Sequence, residues 1–387
     1  MREAAGHSLM NKALIVANTA RFIVSFELDS IRILQEMGFE VHCASNFNSE
    51  SDIAGAENKL REKGAAVHQI DICRSPFRAG NVRALKDLKK LIKDEGFALV
   101  HCHTPSGGVL ARLAAESARK KGTKVIYTVH GFHFYKGAPL LNWAVYYPVE
   151  RFFARMTDVL ITINEEDHRR AHGFKAKKVL YVPGVGVDTA KTAPCSEEEK
   201  TELRRKLGLP EDRTVLLSVG DINKNKNHAA VLNALTELKD DRIFYVVCGS
   251  GELLEAHKDY CRQSGIADQV RFAGFCSNIA DYYHAADAFV FPSYREGLSV
   301  ALMEAMACGL PVLCSRIRGN TDLVKNEAFL ADPGVPGDWA RGISMLADLS
   351  AKDRLEVSSG NRKTIEEGFS LGRISSQMRS IYGEMFG

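Results

Sequence analysis

The chain has 387 residues, enough for two or three domains, and 45% hydrophobic with 26% charged residues is the makeup of an ordinary folded protein. Basic and acidic side chains number 51 and 48, a formal charge of +3, which is too balanced for a surface that grips nucleic acid, so no nucleic-acid partner is expected. The balance is uneven: residues 1–185 hold 27 basic and 19 acidic side chains, a surplus of +8, against 24 and 29 in the remainder, so the first half is the one expected to meet an anionic partner.

Short β-rich apolar runs alternate with helical periodicity from the start. KALIVAN (12–18) reads as a strand, residues 22–37 as one helix, and FEVHCA (39–44) as the next strand. The rhythm continues through AVHQI (66–70), a basic helix near 82–94, FALVHCH (97–103), KVIYTVH (124–130), DVLITI (158–163) and KVLYVP (178–183), which is the βαβ pattern of a parallel sheet. Residues 186–213 are polar, carry Pro194 and Pro210, and read as a connection with one short exposed helix around SEEEK (196–200). A second set follows: TVLLSVG (214–220), RIFYVVCG (242–249), QVRFAG (269–274), DAFVFP (287–292) and LPVLCS (310–315). Apolar Ile374, Met378, Ile381 and Met385 then recur at helical spacing. The expected architecture is α/β: doubly wound domains at 1–185 and 186–371 with a ligand cleft between their strand ends, and a final helix over 372–387 that packs back toward the first domain.

The nine cysteines form no CxxC, and most lie in apolar runs, which predicts packed free thiols and a reducing, cytoplasmic setting. MREAAGHSLM at the start lacks the apolar core of a signal peptide, and Met10 is a candidate start. The longest uncharged, mostly apolar run, 138–149, is far short of the ~20 residues of a spanning helix.

The stretch FPSYREGLSVALMEAMACGLPVLCS (291–315) carries the most chemistry. A strand should end at Pro292, a polar loop should carry Glu296, Gly297, Leu298 and Ser299, and a helix capped by Ser299 should run to Gly309. Free amides at that helix start suit a pyrophosphate, and the carboxylates of Glu296 and Glu304 beside it suit sugar hydroxyls. Spacing alone equally allows two ordinary solvated acids.

EGLSVALME is a Glu-x7-Glu motif, and with it the chain resembles the retaining glycosyltransferases of family four, whose GT-B fold consists of two facing Rossmann-like domains. HTPSGG (103–108), TVHGFHFYKG (128–137), ITINEED (161–167), VPGVGVD (182–188) and VGDINKNKNH (219–228) fall in family order, and the closest resemblance is to the capsular and exopolysaccharide branch. The resemblance implies that Glu296 contacts the donor sugar, Glu304 holds the ribose, and the amides of Gly297, Leu298 and Ser299 meet the diphosphate. Lys226 matches the family lysine, while Asp221 stands where an arginine is usual, which leaves one phosphate contact to Lys224, Lys226 and the helix start near Asn227. Glu296, His130 and Lys226 are the residues expected to serve catalysis. Asn18, Thr19, His103, Thr104 and Lys136 are expected on the acceptor side.

His101 and His103 flank Cys102 without a spaced partner set, so no metal is expected, and no cofactor beyond the nucleotide diphosphate sugar as co-substrate. The segment 131–156 interleaves Phe132, Phe134, Tyr135, Trp143, Tyr146, Tyr147, Phe152 and Phe153 with Lys136, Arg151 and Arg155, a pattern of interfacial helices that also fits a buried helix pair bent at Pro148. The expected activity is transfer of a hexose or N-acetylhexosamine from a UDP-sugar to a lipid-linked (polyprenyl-diphosphate) glycan acceptor at the inner face of the cytoplasmic membrane. A nucleotide-sugar epimerase of the same architecture and a transferase with a soluble acceptor are the alternatives. A dinucleotide oxidoreductase is disfavoured, because the turns NTARFI and GDINKN lack the G-x-G-x-x-G fingerprint.

Overall fold

The computed structural model describes residues 11–48, 55–75 and 78–386. The first ten residues, on which the readings of a missing signal peptide and of a start at Met10 fall, lie outside the described residues. The chain divides into two compact units, one running to Val185 and taken up again at Ile374, the other Gly186–Arg373.

The first unit contains β1 (Asn11–Thr19), β2 (Phe39–Asn46), β3 (Ala66–Gln69), β4 (Leu99–His103), β5 (Lys124–Val129), β6 (Val159–Thr162) and β7 (Lys178–Tyr181), in the parallel order 3-2-1-4-5-6-7. The order reverses between β1 and β4, and such a switch point leaves a crevice at the strand carboxyl ends. The inner strands are buried on both faces, as near-continuous apolar runs require: Leu14 and Val16 pack to one side, Ala13 and Ile15 to the other. Ile374, Met378, Ile381 and Tyr382 of the last helix, Leu371–Glu384, join Ile23, Val41 and Ile161 in this unit's core.

The second unit repeats the design with β8 (Thr214–Val219), β9 (Ile243–Cys248), β10 (Val270–Gly274), β11 (Ala288–Phe291), β12 (Val312–Ser315) and the short β13 (Leu330–Ala331), ordered 10-9-8-11-12-13. Its core centres on Leu217, Val246, Phe289, Leu313 and the fully buried Trp339. Both units are therefore Rossmann-like.

Two local expectations need correction. The single helix over 22–37 is two, Ala20–Phe26 and Leu28–Glu36, broken at Glu27, whose backbone (φ −115°, ψ 6°) leaves the helical region. The exposed helix expected around SEEEK forms at Glu197–Leu207, capped by a Ser196–Glu199 box. Its Lys200 and Arg204 both bind Asp287 at the start of β11, with Lys200 at 2.6 Å, which ties it to the second sheet. The helix after β11, Val300–Ala307, ends short of Gly309.

Candidate functional site

In the second unit the loops after β8 and β11 both leave the sheet at its switch point, and they are laced together. Asn225 donates from Nδ2 to the Arg295 carbonyl (2.9 Å), and the Tyr294 amide donates to the Asn225 carbonyl (2.8 Å). Asn227, in left-handed backbone at φ +54°, donates to the carbonyls of Pro292 and Pro333, both at 3.1 Å. The KNKN loop is thus a fixed bracket and not a solvated turn. It aims Lys226 so that Nζ lies 2.8 Å from Glu296 Oε1 and 4.7 Å from the Phe291 ring centre. Both side chains of the pair are about four-fifths covered (20% and 16% exposed).

Ser299 caps the following helix as expected, its hydroxyl accepting from the Leu302 amide at 3.3 Å, and Gly297 and Leu298 precede it at the helix mouth. This loop is held from behind: Arg318 Nε donates to the Glu296 carbonyl (3.1 Å), and a Cβ on Gly319 (φ +79°) would fall 2.1 Å from the Gly297 carbonyl oxygen, so only glycine fits there. Glu304 Oε2 accepts from the buried Tyr283 hydroxyl at 3.0 Å, and burial raises its carboxyl above the usual range against that hydrogen bond. Asp221 and Lys224 are exposed on the same loop as Lys226. The second unit therefore gathers Lys226, Glu296, Gly297, Leu298, Ser299 and Glu304 at one end of its sheet: a cation, two carboxylates and a free helix start.

In the first unit, β4 and β5 end side by side and deliver His103 and His130 to a shared spot at the carboxyl edge of the sheet. His103 Nδ1 lies 3.2 Å from His130 Nε2 and 3.2 Å from Glu27 Oε1, while Glu27 Oε2 accepts from Ser30 Oγ at 2.9 Å. His101, two residues before His103 on the same strand face, is pinned by the Tyr382 hydroxyl (2.9 Å) and Thr128 Oγ1 (2.8 Å). Burial pushes the Glu27 carboxyl up to about 8, with Ser30 opposing, and pushes His130 down to about 4 and His101 to about 3, so the imidazoles are neutral at neutral pH. A cavity of about 30 Å³ lies among Glu27, His101, His103 and His130.

The other expected acceptor-side residues separate. Thr104, at φ +60°, accepts from the Asn18 amide at 3.2 Å, so these two are neighbours, and Thr19 opens the helix Ala20–Phe26 without a side-chain cap. Lys136 is exposed, and its amide donates to Glu166 Oε1 at 2.7 Å. The Gly107–Gly108 pair lies inside the helix Pro105–Arg119, where a Cβ on Gly108 would strike the Tyr127 ring at 2.4 Å; it serves close packing. Of the aromatic segment, Phe132 and Phe134 are buried, and Trp143, Tyr146 and Tyr147 pack on the same core; Leu140, Leu141 and Phe152 are the exposed apolar residues, beside exposed Arg151 and Arg155.

Sequence reading missed Glu27, Tyr283, Asn225 and Arg318. The ground for expecting no metal also falls, because the fold brings Glu27, far upstream, to His101 and His103, with one ligand atom from each within 4.8 Å of the others. The two histidines at i and i+2 on one strand face were the available signal.

A family model described as "Glycosyl transferases group 1" matches residues 199–364, and one described as "Glycosyl transferase 4-like" matches residues 12–164. The chain is 36% identical over 380 residues to EpsD of Bacillus subtilis (strain 168), named as a glycosyltransferase, with 97% of each protein covered. It is 31% identical over 326 residues to the UDP-Gal:alpha-D-GlcNAc-diphosphoundecaprenol alpha-1,3-galactosyltransferase of Escherichia coli, covering 81% of this chain and 82% of that one. Among solved structures, Alr3699/HepE of Anabaena in complex with UDP superposes with a TM-score of 0.78 at 17% identity, over 97% of this chain and 100% of that one, a likeness of fold. The chain belongs to the group 1 glycosyltransferases, the family-four type, and its fold is GT-B.

Proposed function

We propose that this glycosyltransferase moves a hexose or N-acetylhexosamine, with retention at the anomeric carbon, from a UDP-sugar to a hydroxyl of a polyprenyl-diphosphate-linked sugar in surface polysaccharide synthesis. The observation that carries this reading is the set at one end of the second sheet, where Lys226 stands 2.8 Å from Glu296 beside the Ser299-capped helix start, with Glu304 further along that helix. Lys226 and the amides of Gly297, Leu298 and Ser299 take the diphosphate and stabilise its charge as it leaves, which is electrostatic preorganisation without a metal on the phosphates. Glu296 accepts from donor-sugar hydroxyls and Glu304 from the ribose; Asp221 lies beside the phosphate contacts without adding one. The departing phosphate takes the proton of the acceptor hydroxyl on the face it leaves.

His130, His103, Asn18, Thr104 and Lys136 of the first unit serve the acceptor and the reacting centre. A UDP donor and a diphosphate-linked lipid acceptor are supported by the name of the Escherichia coli relative. Among the described residues no helix is long and apolar enough to cross a membrane. Access to a lipid-linked acceptor calls for peripheral docking at the cytoplasmic membrane face, supported by exposed Leu140 and Leu141 at one end of a helix and exposed Arg151 and Phe152 at its other end, with exposed Arg155 just beyond. A thermal-shift panel of UDP- and GDP-sugars tests the donor: UDP-sugars should raise the melting temperature with occupancy and GDP-sugars should not. Stabilisation by GDP-sugars alone would overturn the choice of base.

A further inference from the structure

Glu27, His103 and His130 converge on one point, and hydrogen bonds cannot satisfy all of their contacts at once. The edges of the triangle Glu27 Oε1, His103 Nδ1, His130 Nε2 are 3.2, 3.2 and 3.8 Å. His103 Nδ1 has one in-plane position, which either carries a proton or offers a lone pair. It cannot at once donate a full hydrogen bond to Glu27 and accept one from His130. Its other ring nitrogen, Nε2, is buried with no partner, although the residue is wholly enclosed. A proton therefore serves this arrangement incompletely.

A cation at the centre of the triangle resolves the conflict at Nδ1 and leaves the ring proton on Nε2. The point equidistant from three corners with these separations lies about 2.0 Å from each, which is the bond length of zinc to imidazole nitrogen and carboxylate oxygen. A small shift out of the plane lengthens the bonds slightly and leaves a further position open, and the adjoining cavity of about 30 Å³ has room for one water there. Ligand orientation is already fixed from behind. Ser30 Oγ donates to the second Glu27 oxygen, and His101, held by Tyr382 and Thr128, backs the His103 ring with centroids 4.2 Å apart. We infer that Glu27, His103 and His130 form a binding site in the first unit for one divalent transition metal of the zinc class. Two imidazoles and one carboxylate select such an ion over magnesium or calcium, which take oxygen ligands. The inference goes beyond the transferase reading and does not rest on it.

The test reads metal and not transfer. Full-length protein is stripped with a chelator, dialysed, and titrated with Zn²⁺ by calorimetry and with Co²⁺ by visible absorption. One equivalent should bind, the melting temperature should rise with Zn²⁺, and the cobalt complex should lack a thiolate charge-transfer band, since its ligands are nitrogen and oxygen. Glu27→Gln and His103→Gln should each weaken Zn²⁺ binding at least about a hundredfold, more than the loss of an outer partner causes. No stoichiometric uptake by the wild-type chain would overturn the proposal. So would a cobalt–thiolate band, which would move the ion to cysteine, or unchanged affinity in both variants. Should the variants fail to fold, wild-type stoichiometry and the cobalt spectrum still decide.

Discussion

Replacing Lys226 by Met removes one charge and leaves Glu296 beside an apolar chain of similar length. At 2.8 Å, with an effective dielectric near 20, the two charges attract by roughly 6 kcal/mol before desolvation. Both groups are only about one-fifth exposed, between a surface pair at ~0–1 kcal/mol and a broken buried pair at ~3–5 kcal/mol, so a loss of about 2 kcal/mol is expected. In a unit of this size that lowers the melting temperature by about 4–8 °C. Donor affinity should fall separately, by about 10- to 150-fold, because a charge-assisted contact to the diphosphate is worth ~1.5–3 kcal/mol. The double variant Lys226→Met with Glu296→Gln removes the orphaned charge, so calorimetric melting should recover most of the lost stability while titration with UDP-sugar shows affinity still reduced. If the single variant loses stability but binds donor like wild type, or the double variant regains both, Lys226 is a structural partner of Glu296 and the donor assignment fails.

Glu304→Gln should weaken UDP-sugar binding by a similar factor with little change in melting, since Tyr283 can still donate to the amide oxygen, whereas Glu296→Gln should act chiefly on turnover; wild-type donor titration and kinetics for both would end the motif assignment. Asp287→Asn should cost about 3–5 kcal/mol in urea unfolding at pH 7, because it strands Lys200 and Arg204. Burial pushes the Asp287 carboxyl up, but the two cations more than offset it and hold it below the usual range. Its contribution is therefore present above about pH 4 and fades as the pH drops through the folded value, so the wild-type advantage should shrink in acid; an advantage that stays constant to pH 2 would contradict this. Substituting Lys136, Arg151 and Arg155 by Ser should reduce sedimentation with anionic vesicles, by ~1 kcal/mol per removed charge that faces the leaflet, and added salt should mimic the change. A folded triple variant that binds vesicles unchanged would place docking elsewhere.

The sheets were legible because strands buried on both faces read as unbroken apolar runs, and each run from KALIVAN to LPVLCS became a strand within a residue or two of its expected ends. The Ser299 cap was legible for the same local reason: cap, glycine and helix are neighbours in the chain. Glu27 was hidden. Its helical periodicity runs straight through from residue 22 to 37, and the break that turns its carboxylate to His103, 76 residues on, depends on tertiary packing that no local pattern encodes. The partners of Asn225 and Asn227 were hidden for a related reason, since Arg295 and Pro333 lie about 70 and 106 positions away. Aromatics in 131–156 left two readings open, because a membrane-facing pattern and a packed one share a composition, and only burial separates Phe134 from Phe152.

Transfer itself is the most direct test. Purified protein, a UDP-hexose labelled at the anomeric carbon and a synthetic polyprenyl-diphosphate-linked N-acetylhexosamine should yield UDP and a lipid-linked disaccharide whose new linkage, by NMR, keeps the donor's anomeric configuration, at a rate that falls more than tenfold in Lys226→Met. A product of inverted configuration, or sugar conversion that proceeds equally well without the lipid acceptor, would contradict the account.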